Sequence, residues 1–396
     1  TSLVDVLRRK ADLVETDSAK KDAFFRAAQI YEDILESPDG AADVYNKILE
    51  IDDTDAAALG ALERIYLRQE KWDSLKDVYV RKANLAQDPD DKKQSYYVLG
   101  QVYESELHDV DRAIETYLAV LDIDSEDATA LHALERLYGQ AERWHDLHGV
   151  LERQLPLARA PAERVSLQHR MGDLWRTRLD EADRAVTYYE QALTIDPQHA
   201  PTLQALDGML KGPAALLAAR VLEPTYERAM EWEKLIDVLE VIVGQEGLPA
   251  ERVMLLHRIG DLAQRYTQDV DRAFSALARA VREDSGDERT LDQLEKLAAG
   301  SSRFADVVRI YEEEIDRSLD PTRELALALR IGGIVEGVIV DPDLAIDKYR
   351  RALDMDTENR PALTALDRLY QQRQRPRELS DVLGRLFRIT DNENDS

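Results

Sequence analysis

The stretch Ala130–Arg153, ALHALERLYGQAERWHDLHGVLER, decides the fold because it recurs along the chain. Moved back by 72 residues, Trp144 falls on Trp72; moved forward by 88 it falls on Trp232, and after another 72 on Phe304. The same shifts carry Glu135 onto Glu63, Glu223 and Glu295, and Tyr138 onto Tyr66 and Tyr226. Self-similarity at a fixed period is the mark of a chain built by stacking one structural unit.

Outward from that template the same period marks a second set of positions. A small residue is followed three later by an aromatic or apolar one at Ala28/Tyr31, Gly100/Tyr103, Gly172/Trp175, Gly260/Ala263 and Gly332/Val335. Thirteen residues after each small residue comes Ala41, Ala113, Ala185, Ala273 or Ala345, and four beyond that Tyr45, Tyr117, Tyr189, Leu277 or Tyr349. These intervals place the marked residues on one face of a helix. Helices approach closely only where a residue at the crossing is small, so Gly100 and Ala113 permit contact while Tyr103, Tyr117 and Leu121 fill the space beside it. One such pair is marginal alone, because its apolar face is covered only when a neighbour stacks on it. Trp72, Trp144 and Trp232 are expected to anchor the second helix of alternate pairs. Burial of such a ring covers roughly 150 to 250 Å², and Trp144→Ala is then expected to cost roughly 3 to 5 kcal/mol.

Gly100, Tyr103, Ala113 and Tyr117, with the run from Gly172 through Ala185 to Pro197, resemble the tetratricopeptide repeat, an antiparallel helix pair of about 34 residues. The chain departs from the family pattern in two ways. The loop between paired helices is one residue longer, and every second repeat carries Glu63, Glu135, Glu223, Glu295 or Asp367 at the small position. Those alternate repeats also hold Leu75, Leu147, Leu235, Val307 and Leu379 where the family favours Ala. The related half-tetratricopeptide class of RNA-processing scaffolds is a second resemblance, on its Trp and Tyr spacings. The fold expected is all-α: a right-handed α-solenoid of stacked antiparallel helix pairs, with about 22 helices.

The boundaries follow from the period. A half hairpin at 1–15 precedes double repeats at 20–86, 91–157, 161–245, 249–318 and 321–388, forming one array with no compositional break. Ser2 onward aligns without a gap on Ser74 onward, so the chain starts in mid-repeat, without Met, and is expected to be a fragment of a longer protein. The shift of 88 in place of 72 inserts 16 residues between about Ala200 and Leu216. There an extra helix is expected over Thr202–Leu210, stopped at Lys211-Gly212 and restarted at Pro213, either as a tolerated insertion or as a hinge or docking point. IGGIVEGVIV, Ile331–Val340, reads as a weak β-branched helix whose apolar side meets the core or a partner. Toward the end Pro376 stands at the Trp position, Leu379, Val382 and Leu383 keep the apolar stripe, and Asp391–Ser396 is expected to fray.

Composition narrows the work such an array can do. Lys and Arg number 52 against 79 Asp and Glu, a net charge of −27, so a phosphate backbone is repelled and nucleic acid is not an expected partner. No Cys is present, which removes disulfides and thiolate metal sites. No apolar run approaches the roughly 18 residues that span a bilayer, and no membrane insertion is expected; a cytoplasmic setting is. Nucleophile elbows, HExxH, Walker loops, GxGxxG and EF-hand loops are absent from the sequence. His145 and His148 are the one His pair with close ligand spacing, but Asp73 and Lys76 stand at the equivalent places, which argues against a metal. The acidic series at Glu63 recurs five times, which suits a structural acceptor for the Trp indole or a helix N-terminus better than a catalytic carboxylate. No catalytic residue, metal or cofactor is therefore expected.

Binding remains. In the family it resembles, the first helix of each pair lines a concave groove. That geometry points to Gln29 and Arg64, then Tyr97, Gln101 and Glu104, then His132 and Arg136, then His169, Asp173 and Arg176. Farther on it points to Arg220, His257, Asp261, Lys296 and Arg368. A Lys or Arg followed four later by Asn, the clamp of the family's chaperone-tail readers, is missing from these inner helices. The function expected is a non-enzymatic adaptor that recruits protein partners within a larger assembly. The alternative is the recognition or regulatory arm of an enzyme whose catalytic domain lies elsewhere. Self-association through open solenoid ends is a further expectation.

Overall fold

The computed structural model describes residues 2–394, with side chains from 3 to 389. Among these residues the regular structure is helical throughout, in 22 α-helices without a strand: an α-solenoid, as the repeat predicts. α1 (Ser2–Leu13) is followed by α2 (Asp17–Asp33), α3 (Pro38–Ile51), α4 (Ala56–Arg68) and α5 (Trp72–Leu85). The second double repeat holds α6 (Pro89–Gln101), α7 (Val110–Ile123), α8 (Ala128–Gln140) and α9 (Trp144–Gln154). The third holds five helices, α10 (Pro161–Thr177), α11 (Ala182–Ile195), α12 (Ala200–Met209), α13 (Ala215–Ala229) and α14 (Trp232–Gln245). The fourth has α15 (Pro249–Leu262), α16 (Val270–Glu283), α17 (Glu288–Ser301) and α18 (Phe304–Arg317), and the fifth α19 (Pro321–Ile334), α20 (Pro342–Met355), α21 (Arg360–Gln372) and α22 (Pro376–Asn394). The chain divides into two compact units, one up to Thr202 and one from Leu203, so the division falls inside α12.

Helix starts carry the signals expected of them. The carboxylates of Asp55 and Asp127 and the amide oxygen of Asn359 accept from the N–H three residues on, at 3.0 to 3.1 Å, supplying the partner that the first turn lacks. Helix stops do not follow the usual rule. Ten residues, among them Glu70, His108, Glu142, Gln268, Ser302 and Val340, sit at φ between 47° and 60°, one in each turn from a first to a second helix, and none is Gly. In alternate turns the next N–H reaches the carbonyl five residues back, as Lys71 to Tyr66 (3.0 Å) and Arg143 to Tyr138 (2.9 Å). In three of the other turns the first helix ends in a π-helical turn, Val102–Glu106, Ala263–Thr267 and Val335–Ile339, which accommodates the additional loop residue.

Glycine is used for packing instead. A Cβ added at Gly100, Gly172 or Gly332 would lie 2.8, 2.5 or 2.5 Å from the ring of Tyr117, Tyr189 or Tyr349, so each tyrosine lies directly on a bare helix backbone. Tyr189 and Ala113, Ala185 and Ala345 are fully buried. In the first unit the core runs through Ile48, Leu62, Leu75, Ile114, Leu131, Leu134 and Met171; in the second through Leu222, Leu235, Ile259, Leu294, Tyr311 and Ile346.

The tryptophans correct the expectation. Trp72, Trp144 and Trp232 are half-buried, while the residues three on, Leu75 and Leu235, are fully enclosed. Each Trp opens its helix and reaches outward: Trp144 lies under the Arg178 guanidinium at 4.8 Å, and Trp232 stacks on Tyr266 at 4.2 Å and 18°. The fully packed indole is that of Trp175, against His145 and His148. Because a half-buried ring loses less on truncation, Trp144→Ala should cost about 1 to 3 kcal/mol, not the larger figure.

The insertion forms the extra helix, α12, but Pro213 lies in the turn and α13 starts at Ala215. Thr202, Leu203, Ala205, Leu206 and Asp207 stand 72 residues after Ala130, Leu131, Ala133, Leu134 and Glu135, so α12 repeats the opening of a first helix before α13 supplies the complete one. Tyr226 donates to Asp207 at 2.6 Å, joining the two. Of IGGIVEGVIV, Ile331, Ile334 and Val335 are buried and Val338 and Val340 exposed. In α22 Val382 is buried, whereas Leu383 is half-exposed and leaves the stripe. α22 stays helical to Asn394; the last two residues of the stretch expected to fray lie outside the described residues.

Candidate protein-interaction surface

The residues expected to line a groove fall into three groups once their contacts are known. The first group ties one repeat to the next. His257 Nε2 and the Thr290 hydroxyl are 2.6 Å apart, and Thr290 in turn donates to Asp287. His169 repeats the arrangement, its Nδ1 3.1 Å from the buried Thr202 hydroxyl, which also meets His199 Nδ1 at 2.7 Å. Burial lowers both His169 and His257 below the ordinary imidazole value, so both rings are neutral near pH 7. Tyr97, at the same position of its repeat, is pushed upward by burial and by its bond to Asp127.

The second group is made of paired charges. Arg64, Arg136 and Arg368 bind Glu32, Glu104 and Glu336, each 32 residues earlier, with contacts of 3.0, 2.7 and 2.8 Å. Tyr45 and Tyr349 donate to the same carboxylates at 2.7 and 3.1 Å; Tyr349 is raised to about 12 by burial and by Glu336, and stays a donor. Asp173 accepts from Tyr189 (2.6 Å) and Arg176 (3.1 Å). The third group has few or no ties: Gln29, Gln101, Arg220 and Lys296 are exposed and have no hydrogen bond or ion pair among the described residues, the exposed His132 stands 3.8 Å from Glu135, and the half-buried Asp261 lies 3.8 Å from Arg265.

The recurrent acids are acceptors, though not of the indole. Glu63 binds Lys82 (2.6 Å) and Tyr79, Glu295 binds Tyr311 (3.0 Å) and Arg330 (2.9 Å), and Glu135 binds Gln154 (2.9 Å) and Arg170. Glu223 binds Arg258, and Asp367 takes only Gln371 of its own helix, at 2.9 Å. Glu135, Glu223 and Glu295 each meet an Arg 35 residues on, in the first helix of the next double repeat. That spacing is present in the sequence and is the signal by which the pairing can be found. His145 and His148 pack on Trp175, and His148 meets the Tyr188 hydroxyl at 2.7 Å. No group of metal-ligating side chains occurs among the described residues.

Two hollows open on the first-helix face at equivalent places. One, of about 670 Å³, lies between α6, its π-turn and α8, and gathers Tyr97, Gln101, Glu104, His132 and Arg136 beside Leu67, Trp72 and Val98. The other, of about 530 Å³, lies between α15, its π-turn and α17, and gathers His257 and Asp261 beside Met254, Arg265, Tyr266 and Arg289. Seven lining positions of one stand 160 residues from seven of the other. Arg368 lines a third hollow with Leu329 and Thr364. Gln29, Arg64, His169, Asp173, Arg176, Arg220 and Lys296 line none of the three.

Stacked antiparallel helix pairs with a small residue at alternate first-helix crossings define a helical-repeat protein. Tetratricopeptide repeat models match residues 58–93, 93–127 and 176–199, and the chain is a tetratricopeptide-repeat protein. No curated protein matches it. Among solved structures it is similar to YrrB, described as a tetratricopeptide-repeat protein with an unusual peptide-binding site, at 16% identity over 52% of this chain and 99% of that one, with a TM-score of 0.28. The tetratricopeptide domain of P58(IPK) is 14% identical over 94% of this chain and 95% of that one, with a TM-score of 0.25. Yeast Tom70 is 12% identical over 95% and 92%, with a TM-score of 0.26. At this level of likeness none of the three bears on what this chain binds. Repeats of this family generally mediate protein–protein interaction and are typically non-catalytic. Among the described residues no helix is long and apolar enough to cross a membrane.

Proposed function

We propose that this chain is a non-enzymatic adaptor that holds a segment of a partner protein on the concave face formed by its first helices, within a larger assembly. The observation that carries this reading is the pair of equivalent hollows, which together hold Tyr97, Gln101, Glu104, His132, Arg136, His257 and Asp261. Each is lined by apolar and polar side chains together, the combination that fixes a side chain by burial and orients it by hydrogen bonds. Gln101 is exposed and uncommitted in one, and Asp261 in the other lies 3.8 Å from Arg265.

Site-specific photocrosslinking tests it. A benzoylphenylalanine at Gln101 should capture a distinct protein, and the same group at Glu115, exposed on α7, should not. Equal capture from both positions, or capture from Glu115 alone, would overturn the reading.

A further inference from the structure

The hollow between α6 and α8 is set in the most acidic part of the repeat array. Residues 101–150 hold twelve Asp and Glu against three Arg, a net charge of −9, which is a third of the chain's −27. All three arginines are already engaged. Arg112 lies 3.5 Å from Asp109 and over the Tyr103 ring, Arg136 is bound by Glu104, and Arg143 meets Asp146 at 2.8 Å and covers Tyr138. Glu106, on the wall of the hollow, is exposed and makes no hydrogen bond or ion pair among the described residues. The uncompensated charge is therefore available to something outside the chain.

The hollow also offers an apolar seat. Leu75 and Val102 are buried at its base, and Trp72, Tyr97 and Val98 are half-buried on its walls. On its rim Leu67 is 55% exposed, while the equivalent positions in the other repeats are Gly139, Glu227, Ala299 and Gln371. A large side chain exposed in one copy alone is not required by the packing that all copies share.

We infer that the occupant is a basic segment of a partner protein, which seats one bulky apolar side chain against Trp72, Tyr97 and Val98 while its Lys and Arg lie over Glu106 and the acids around it. The inference rests on the groove reading and names its chemistry. Charge supplies the approach and the selection against acidic segments, and the enclosed side chain supplies the hold. An acidic segment meets the same field with the opposite sign.

Fluorescence anisotropy on the full chain tests it with three labelled peptides of equal length: an amphipathic Lys/Leu helix, the same peptide with Leu replaced by Ser, and a Glu/Leu counterpart. The Lys/Leu peptide should bind at least about tenfold more tightly than either other and weaken with added salt. Filling the hollow by Ala133→Trp, or reversing its wall charge by Glu106→Lys, should each weaken that binding at least about fivefold. Glu106→Lys is a surface change that leaves the fold intact and carries the test alone if Ala133→Trp does not fold. Equal binding of the Lys/Ser peptide, tighter binding of the Glu/Leu peptide, or indifference of Lys/Leu binding to Glu106→Lys would each overturn the inference. If Gln101 still captures its partner in that case, the groove reading stands and only its chemistry has failed; loss of that capture removes both.

Discussion

Residues 101–150 and 261–310 are the same fifty positions of the repeat, one set in each unit. Beneath the surface they share part of a frame: Ala113 and Ala273, Leu131 and Leu291, and Leu134 and Leu294 are all buried. At the hollow they part. Tyr97, Val98, Glu106 and Thr129 in the first unit become His257, Arg258, Tyr266 and Arg289 in the second. The first set carries twelve acids and three bases, the second ten and eight. In the second unit Tyr266 also stacks on Trp232, whereas its counterpart Glu106 is exposed beside Trp72. A stacked repeat separates its tasks by position: the crossing residues hold the helices, while the lining residues vary from copy to copy.

If the frame is common, equivalent core truncations must cost the same. Leu134→Ala and Leu294→Ala, both fully buried, should each destabilise the chain by about 2 to 5 kcal/mol in denaturant melts. A large cost from one and a small cost from the other would end the equivalence. The crossings should show the opposite. Gly100→Ala would press a Cβ to 2.8 Å from Tyr117, but Gly260→Ala meets Leu277 at an ordinary 3.4 Å. The first should cost about 1 to 2 kcal/mol through overpacking, and the second should be neutral or stabilising by up to about 1 kcal/mol, because Ala favours helix over Gly. Equal effects would show that Tyr117 moves aside freely.

Most of this frame was legible from the period of 72 and its one interruption. Gly100 with Tyr117 and Gly332 with Tyr349 are local patterns, and the extra helix follows from counting. What a helical face alone does not show is direction. Trp144 is large and recurrent, which suggests burial, but at the first position of its helix it projects to the rim. Arg64, Arg136 and Arg368 look like free groove cations until Glu32, Glu104 and Glu336 are recognised one repeat earlier. His169 and His257 lie on the groove-facing helices yet bind Thr202 and Thr290 of the following ones. In each case the partner belongs to another repeat, and a single helical face does not show it. The division inside α12 leaves no trace in composition.

The two units also differ at one turn. Val340 holds φ 60° and is 69% exposed, where His108 holds φ 52°. A β-branched residue is strained in this region, and Asn is tolerated there. Val340→Asn should therefore stabilise by about 1 kcal/mol, and His108→Asn by less, in thermal melts of otherwise identical chains. An equal gain at both sites would remove β-branching as the cause.

The smallest expected effect separates the hollows by pH. His257 is lowered by burial and by Arg289, against the pull of Asp287 and Asp261, so its folded value lies below the ordinary value of about 6.5. A group depressed in this way contributes stability that is complete above its unfolded value and is lost as pH falls through its folded one. Protonation places a charge among α15, α16 and α17 and changes what the ring offers Thr290. Hydrogen exchange, corrected for its intrinsic pH dependence, should show protection in α15–α17 falling between pH 7.5 and 5.5, while α6–α8, with Tyr97 at the same position, holds steady. His257→Tyr gives the second hollow the first one's residue, with Asp287 placed to accept as Asp127 does. It should abolish the difference. A fall that persists in His257→Tyr, or that appears equally in α6–α8, would assign the loss to groups common to both units.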